Sequence, residues 1–150
     1  MISNKMEAQH ISDAFMAILG SNNEARAQAE VYLNSIVNTP GLFEALIKIT
    51  NMHELFEIRQ SAVIFLKNQV KNWKNANIPA ADKELLKGNI LECIIHNFSH
   101  EKIRVQYEEI VKQIAFNDFP NDWQGIADKL NVSLNENNYF QIMGAITVIY

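Results

Sequence analysis

An all-α fold of stacked antiparallel helix pairs is what this sequence predicts, on three observations. One motif recurs: residues 24–37 read EARAQAEVYLNSIV, residues 57–70 read EIRQSAVIFLKNQV, and residues 102–115 read KIRVQYEEIVKQIA. These copies set Arg26, Arg59 and Arg104 in register, with Ala29, Ala62 and Tyr107 three residues on and Leu33, Leu66 and Val111 seven on. A fainter copy runs through Ile142, Ala145 and Ile149. The copies lie 33, 45 and 38 residues apart, which is a period near 40 with loop-sized variation. Finally, the chain is 48% hydrophobic with 3 prolines and 5 glycines, so long helices can run unbroken. A helical repeat of this length marks stacked pairs of the HEAT or armadillo type. The expected architecture is a right-handed α-solenoid of about four HEAT repeats, with about eight antiparallel helices and no strand.

Each element follows from its punctuation. The first helix runs from about Ala8 to Leu19, with Ile11, Phe15, Ile18 and Leu19 on one stripe. Gly20 closes it, and Ser21 then opens a capping box with Glu24. The second helix carries Ala25, Ala29, Tyr32, Leu33 and Ile36 on its apolar face. Thr39 and Pro40 predict the N-cap and first residue of a third helix that reaches about Asn51 and buries Leu42, Leu46 and Ile49. A fourth, from about Leu55 to Trp73, carries Ile58, Ala62, Phe65, Leu66 and Val70. The stretch KNANIPAAD at 74–82 is the longest loop signal. From about Asp82 a fifth helix passes through Ile90, Ile94 and Ile95 to about Asn97, and Ser99 is the expected N-cap of a sixth ending near Phe116. Asp118-Phe119-Pro120 breaks the chain, a seventh helix covers Trp123, Ile126 and Leu130, and an eighth begins near Asn138. The apolar run from Ile142 to Tyr150 is unlike the polar outer face of a terminal repeat, so the expectation is one N-terminal module of a longer array.

Composition narrows the function classes. A net charge of −4 argues against bulk nucleic-acid binding, which requires a basic surface. One cysteine, Cys93, cannot form an internal disulfide and fits a reducing compartment. The start MISNKMEAQH has no apolar core of a signal peptide, and the sequence has no membrane-length apolar run. There is no Walker loop, GxGxxG, GxSxG or HExxH, and the acids at Glu24, Asp82 and Glu101 sit where they complement helix dipoles. His96 and His100 stand four apart, but a helix break at Ser99 separates them and no third zinc-like ligand follows. The reading is of a protein without catalytic residues, metal or cofactor.

Residues 24–73 resemble the N-terminal domain of the importin-β (karyopherin-β) family. The features that carry the likeness are E-A-R-x-Q-A-E-x-x-L at 24–33, the Thr39-Pro40-Gly41 corner, R-Q-S-A-x-x-F-L-K-N at 59–68 and the closing Trp73. Asp118-Phe119-Pro120-Asn121-Asp122-Trp123 is similar to the DFPxxW corner of these receptors. The likeness leans toward the large importins and the export receptor for importin-α. It implies a family N-terminal domain at about 24–100, further HEAT repeats at about 100–150, and a monomer. It also implies a receptor that shuttles between cytoplasm and nucleus and binds the small GTPase Ran in its GTP form through the second helix of each pair. Cargo and nuclear pore proteins would be met by the rest of the full-length chain. Neither membrane nor nucleic acid is an implied partner. A HEAT scaffold indifferent to Ran is the alternative.

Against that resemblance, Lys67, Asn68 and Lys71 are the candidate Ran contacts, with Lys67-Asn68 matching the family motif and Lys71 resting on helical spacing alone. Lys67, Lys71 and Lys74 would make one basic stripe, which equally describes a solvated face. Arg26, Arg59 and Arg104 could meet partner carboxylates, or could bridge adjacent repeats through loop carbonyls; recurrence at one repeat position favours the second. Trp73 and Trp123 could be interface anchors, but their places beside loops favour capping the core.

Overall fold

The computed structural model describes residues 7–74, 77–118, 121 and 123. Within them the chain forms α1 (Ala8–Leu19), α2 (Asn23–Ser35), α3 (Leu42–Met52), α4 (Phe56–Val70), α5 (Ala80–His96) and α6 (Glu101–Asp118), with no strand among the described residues. Short corners fold consecutive helices into hairpins: α1 packs on α2, α3 on α4 and α5 on α6. The hairpins stack, α3 touching both α1 and α5, and α4 touching both α1 and α6. A single apolar core threads all three, from Ile11 and Phe15 through Leu46 and Leu66 to Ile94 and Ile110. This is the two-layer stacking of a HEAT-like α-solenoid. The seventh and eighth helices, and the faint fourth copy at Ile142, Ala145 and Ile149, lie outside the described residues.

The corners differ from their sequence reading by one to three residues, each for a local reason. Asn22, not Ser21, caps α2, its Oδ1 accepting from the Ala25 N–H at 3.0 Å. Gly20 is still occupied in closing α1 through its N–H to the Ala17 carbonyl, so the cap falls later. Helix α3 opens at Leu42 because Thr39-Pro40-Gly41-Leu42 is a turn, the Leu42 N–H meeting the Thr39 carbonyl at 3.1 Å. Gly41 takes φ 91° and ψ −5°, the third position of a type II turn, where glycine is required. Its N–H donates at 3.1 Å to Oδ1 of Asp82, so the turn leading into the second hairpin is tied to the start of the third. Asp82 therefore lies buried in the first turn of α5, which begins at Ala80. Helix α4 ends at Val70 and not Trp73, because the Asn72 N–H bonds the Gln69 carbonyl three residues back and tightens the chain into a turn. Helix α6 starts at Glu101: the bonds closing α5 run on through Phe98, leaving the His100 carbonyl, not Ser99, to receive the first α6 amides.

Candidate partner-binding site

The three recurrent arginines perform one local task. Arg26 Nη2 donates to the Gly20 carbonyl at 2.6 Å, Arg59 Nε to the Thr50 carbonyl at 2.7 Å, and Arg104 Nη1 to the Phe98 carbonyl at 2.8 Å. Each guanidinium thus reaches back across its own hairpin corner to the end of the preceding helix. Carbonyls there lack intrahelical partners and carry the negative end of the helix dipole, so a cation is well placed. The bonds close each hairpin on itself. Arg59 additionally crosses to the next hairpin, Nη2 donating to Asn97 Oδ1 at 2.7 Å. Arg104 also pairs with Glu108 at 3.0 Å and lies over the Phe98 ring at 4.9 Å.

Arg59 enters a buried polar network that the sequence did not announce. Asn97, 0% exposed, donates from Nδ2 to Asn51 Oδ1 at 2.8 Å and to the Cys93 carbonyl at 2.9 Å. Tyr107, also 0% exposed, donates its hydroxyl to the same Asn51 Oδ1 at 3.0 Å. Here Tyr107 stands where the first two repeats have Ala29 and Ala62, and its extra reach is what joins α6 to α3. Burial raises its phenol well above the usual tyrosine value, and burial likewise pushes the Cys93 thiol up. One available signal was that Asn51 and Asn97 stand eight and seven residues before Arg59 and Arg104.

Lys67 lies half-buried in the last turn of α4, with Asn68 exposed beside it. Lys71 and Lys74 are exposed in the turn beyond, so the basic stripe leaves the helix after Lys67. That turn is anchored from below. Trp73 is 2% exposed and donates Nε1–H to Asp118 Oδ2 at 2.8 Å, and Lys83 Nζ lies 5.4 Å from its ring centroid. Lys87 Nζ meets the same Asp118 oxygen at 3.1 Å and Glu84 at 3.2 Å. Burial works against the Lys87 charge, but the bonds to Asp118 and Glu84 outweigh it and hold the ammonium above its ordinary value. Trp123 is buried in the same core. Lys71 faces Lys112, Gln113, Phe116 and Asn117 of α6, neighbours that sequence spacing did not supply. Their signal was Phe116, an aromatic off the apolar stripe of its helix and 89% exposed.

Among the described residues no group of three His, Cys, Asp or Glu side chains could hold a metal ion, and no helix is long and apolar enough to cross a membrane. His96 Nε2 lies 3.2 Å from the Asn51 carbonyl, and His100 stacks obliquely on Phe56.

Hairpins closed by a recurrent arginine and sharing one core define a helical-repeat protein whose outer side chains are available to partners. Residues 29–96 match the importin-beta N-terminal domain, and the chain belongs to the importin-β family through that domain. It is 32% identical over 127 residues to a probable importin-7 homolog of Dictyostelium discoideum, covering 81% of this chain and 12% of the relative. With human importin-8 the identity is 30% over 138 residues, 83% of this chain and 13% of the relative. With importin-8 of Danio rerio it is 28% over 158 residues, 97% of this chain and 15% of the relative. The chain thus spans 12–15% of the length of these curated relatives.

Proposed function

We propose that this chain is the N-terminal portion of a nuclear transport receptor and binds a Ran-type GTPase in its GTP form. In this reading the protein moves between cytoplasm and nucleus, works without chemistry of its own, and meets cargo and pore proteins through repeats outside residues 1–150. The observation that carries the reading is the exposed end of α4. Asn68, in the last turn of α4, and Lys71, in the turn that the Trp73–Asp118 bond holds, are exposed there, within the segment that matches the family domain. Asn68 offers amide donors and acceptors to partner backbone, and Lys67 and Lys71 offer cations to partner carboxylates.

The test is titration of the chain with Ran loaded with a GTP analogue and, separately, with GDP. Binding restricted to the GTP form is the expected result. In the Lys67→Ala/Asn68→Ala double variant, affinity for that form should fall at least tenfold with helicity and melting unchanged. Equal affinity for both nucleotide forms would replace this reading with a scaffold indifferent to Ran.

A further inference from the structure

Three neighbouring clefts between the end of α4 and the third hairpin share lining residues. The first is lined by Lys71, Lys112, Gln113, Phe116 and Asn117. The second shares Lys71 and Asn117 with it and adds Asn72, Trp73 and Lys74. The third, of about 620 Å³, shares Trp73, Lys74 and Asn117 and extends to Lys83 and Lys87. The resulting groove is basic in a chain whose net charge is −4. Lys71, Lys74 and Lys83 meet no carboxylate among the described residues, while the acids of the groove, Asp118 and Glu84, are already held by Lys87. Phe116 stands 89% exposed at the far end.

We infer that this groove is a docking site for an extended acidic peptide of a partner protein, with an apolar side chain seated against Phe116. Charge complementarity selects the acidic character, since three uncompensated ammonium groups in one concavity raise the local concentration of anionic segments. The side-chain amides of Asn72 and Gln113 line the clefts and can meet peptide backbone, as can Oδ1 of Asn117, whose Nδ2 is held by the Gln113 carbonyl. A nucleic acid is disfavoured because Trp73, at 2% exposure, offers no free ring face for base stacking, and because Asp118 and Glu84 would oppose a continuous phosphate chain. The site shares Lys71 with the Ran reading but extends beyond it, since Lys74, Lys83 and Phe116 are not among the candidate Ran contacts.

The experiment is fluorescence anisotropy of the chain with a fluorescein-labelled peptide of ten glutamates ending in Leu-Phe. Controls are the same peptide with glutamine for glutamate, and a ten-nucleotide RNA. Expected results are saturable binding of the glutamate peptide, weakening with added salt, and at least tenfold loss in Lys74→Glu/Lys83→Glu. Phe116→Ala should lose affinity for the Leu-Phe peptide and not for one ending in Gly-Gly. Binding of Ran in its GTP form should survive in the lysine variant, because Lys67, Asn68 and Lys71 are intact; its failure in wild type would leave this site unaffected. Should charge reversal unfold the chain, Lys74→Gln/Lys83→Gln with the wild-type salt slope decides the same point. Equal binding of the glutamine peptide, unchanged affinity in the lysine variants, or tighter binding of the RNA would each overturn the assignment.

Discussion

Replacing Arg59 by alanine tests whether the recurrent arginines are equivalent, and the structure says they are not. All three satisfy a carbonyl at the end of the preceding helix, but Arg59 alone among them also supplies the donor for Asn97 Oδ1, at 2.7 Å. Asn97 is fully buried, and its Nδ2 group stays committed to Asn51 and the Cys93 carbonyl. The amide therefore cannot turn to rescue its own oxygen. An orphaned buried acceptor costs about 1–3 kcal/mol, and the lost bond to the Thr50 carbonyl adds about 1 kcal/mol. The expected total for Arg59→Ala is about 2–4 kcal/mol, a fall in melting midpoint of roughly 5–12 °C for a chain of this size. Arg26→Ala removes one bond to the exposed Gly20 carbonyl and should cost only about 1 kcal/mol. Arg59→Lys should recover less than half of the loss, because an ammonium cannot span two acceptors as a planar fork does.

Urea titration followed by circular dichroism measures each variant. A double-mutant cycle with Asn97→Ala isolates the pair, for which a coupling of about 1–2 kcal/mol is expected. If Arg59→Ala proves no more destabilising than Arg26→Ala, or the cycle closes with no coupling, the buried network is not what joins these hairpins.

Two further outcomes follow from backbone and burial. Gly41→Ala places a Cβ at φ 91° and should cost about 1–2 kcal/mol, whereas Gly88→Ala, inside α5 with nothing within 4 Å of a new Cβ, should be neutral or stabilising by up to about 1 kcal/mol; matched denaturation curves that fail to diverge would refute the turn assignment. Tyr107 has its phenol pKa raised above the reference value of 10.0, so its contribution is complete below about pH 10 and lost as pH rises past that value. Tyr107→Phe should flatten the alkaline limb of the stability curve while costing about 1 kcal/mol at neutral pH, and an unaltered alkaline limb would contradict the burial argument.

The described helices were legible because burial of one helix face imposes a period on the sequence, and that period survives in Arg26, Arg59 and Arg104 and in Leu33, Leu66 and Val111 seven residues on. Corners were less legible. Ser21, Thr39 and Ser99 are all good capping residues, yet each lies one or two residues before the true cap position (Asn22, Gly41 and His100), because the end of the preceding helix still holds the chain at that point. Local propensity ranks caps, but closure of the corner decides which residue is free to act as one. The Asn51–Asn97–Tyr107 network was illegible for a different reason. Its members are brought together across 46 and 56 residues, and nothing in the neighbourhood of an asparagine at a helix end states which other asparagine it will face. The groove beside Lys71 was hidden in the same way, since its far wall comes from α6.

The two interfaces between hairpins are built from different forces, and this bears on how a partner surface is held. Between the first and second, the contact is apolar, with Phe15 and Phe65 meeting edge to face at 5.8 Å. Such packing is strong but weakly directional, so a small slide costs little. Between the second and third, Arg59, Asn51, Asn97 and Tyr107 bond with fixed geometry in a buried setting, the Gly41–Asp82 bond pins the opposite corner, and Trp73 and Lys87 converge on Asp118. Displacing these hairpins would strand several polar groups at once, which makes their register nearly all-or-none. Lys67, Asn68 and the groove to Phe116 sit on the two hairpins that these bonds join. A surface fixed before binding loses less conformational freedom when a partner docks, so directional bonds beneath it convert into affinity and selectivity above it. On the proposed reading the polar network serves recognition as well as stability, and loosening Asn97 or Tyr107 should weaken Ran binding at residues that neither of them touches.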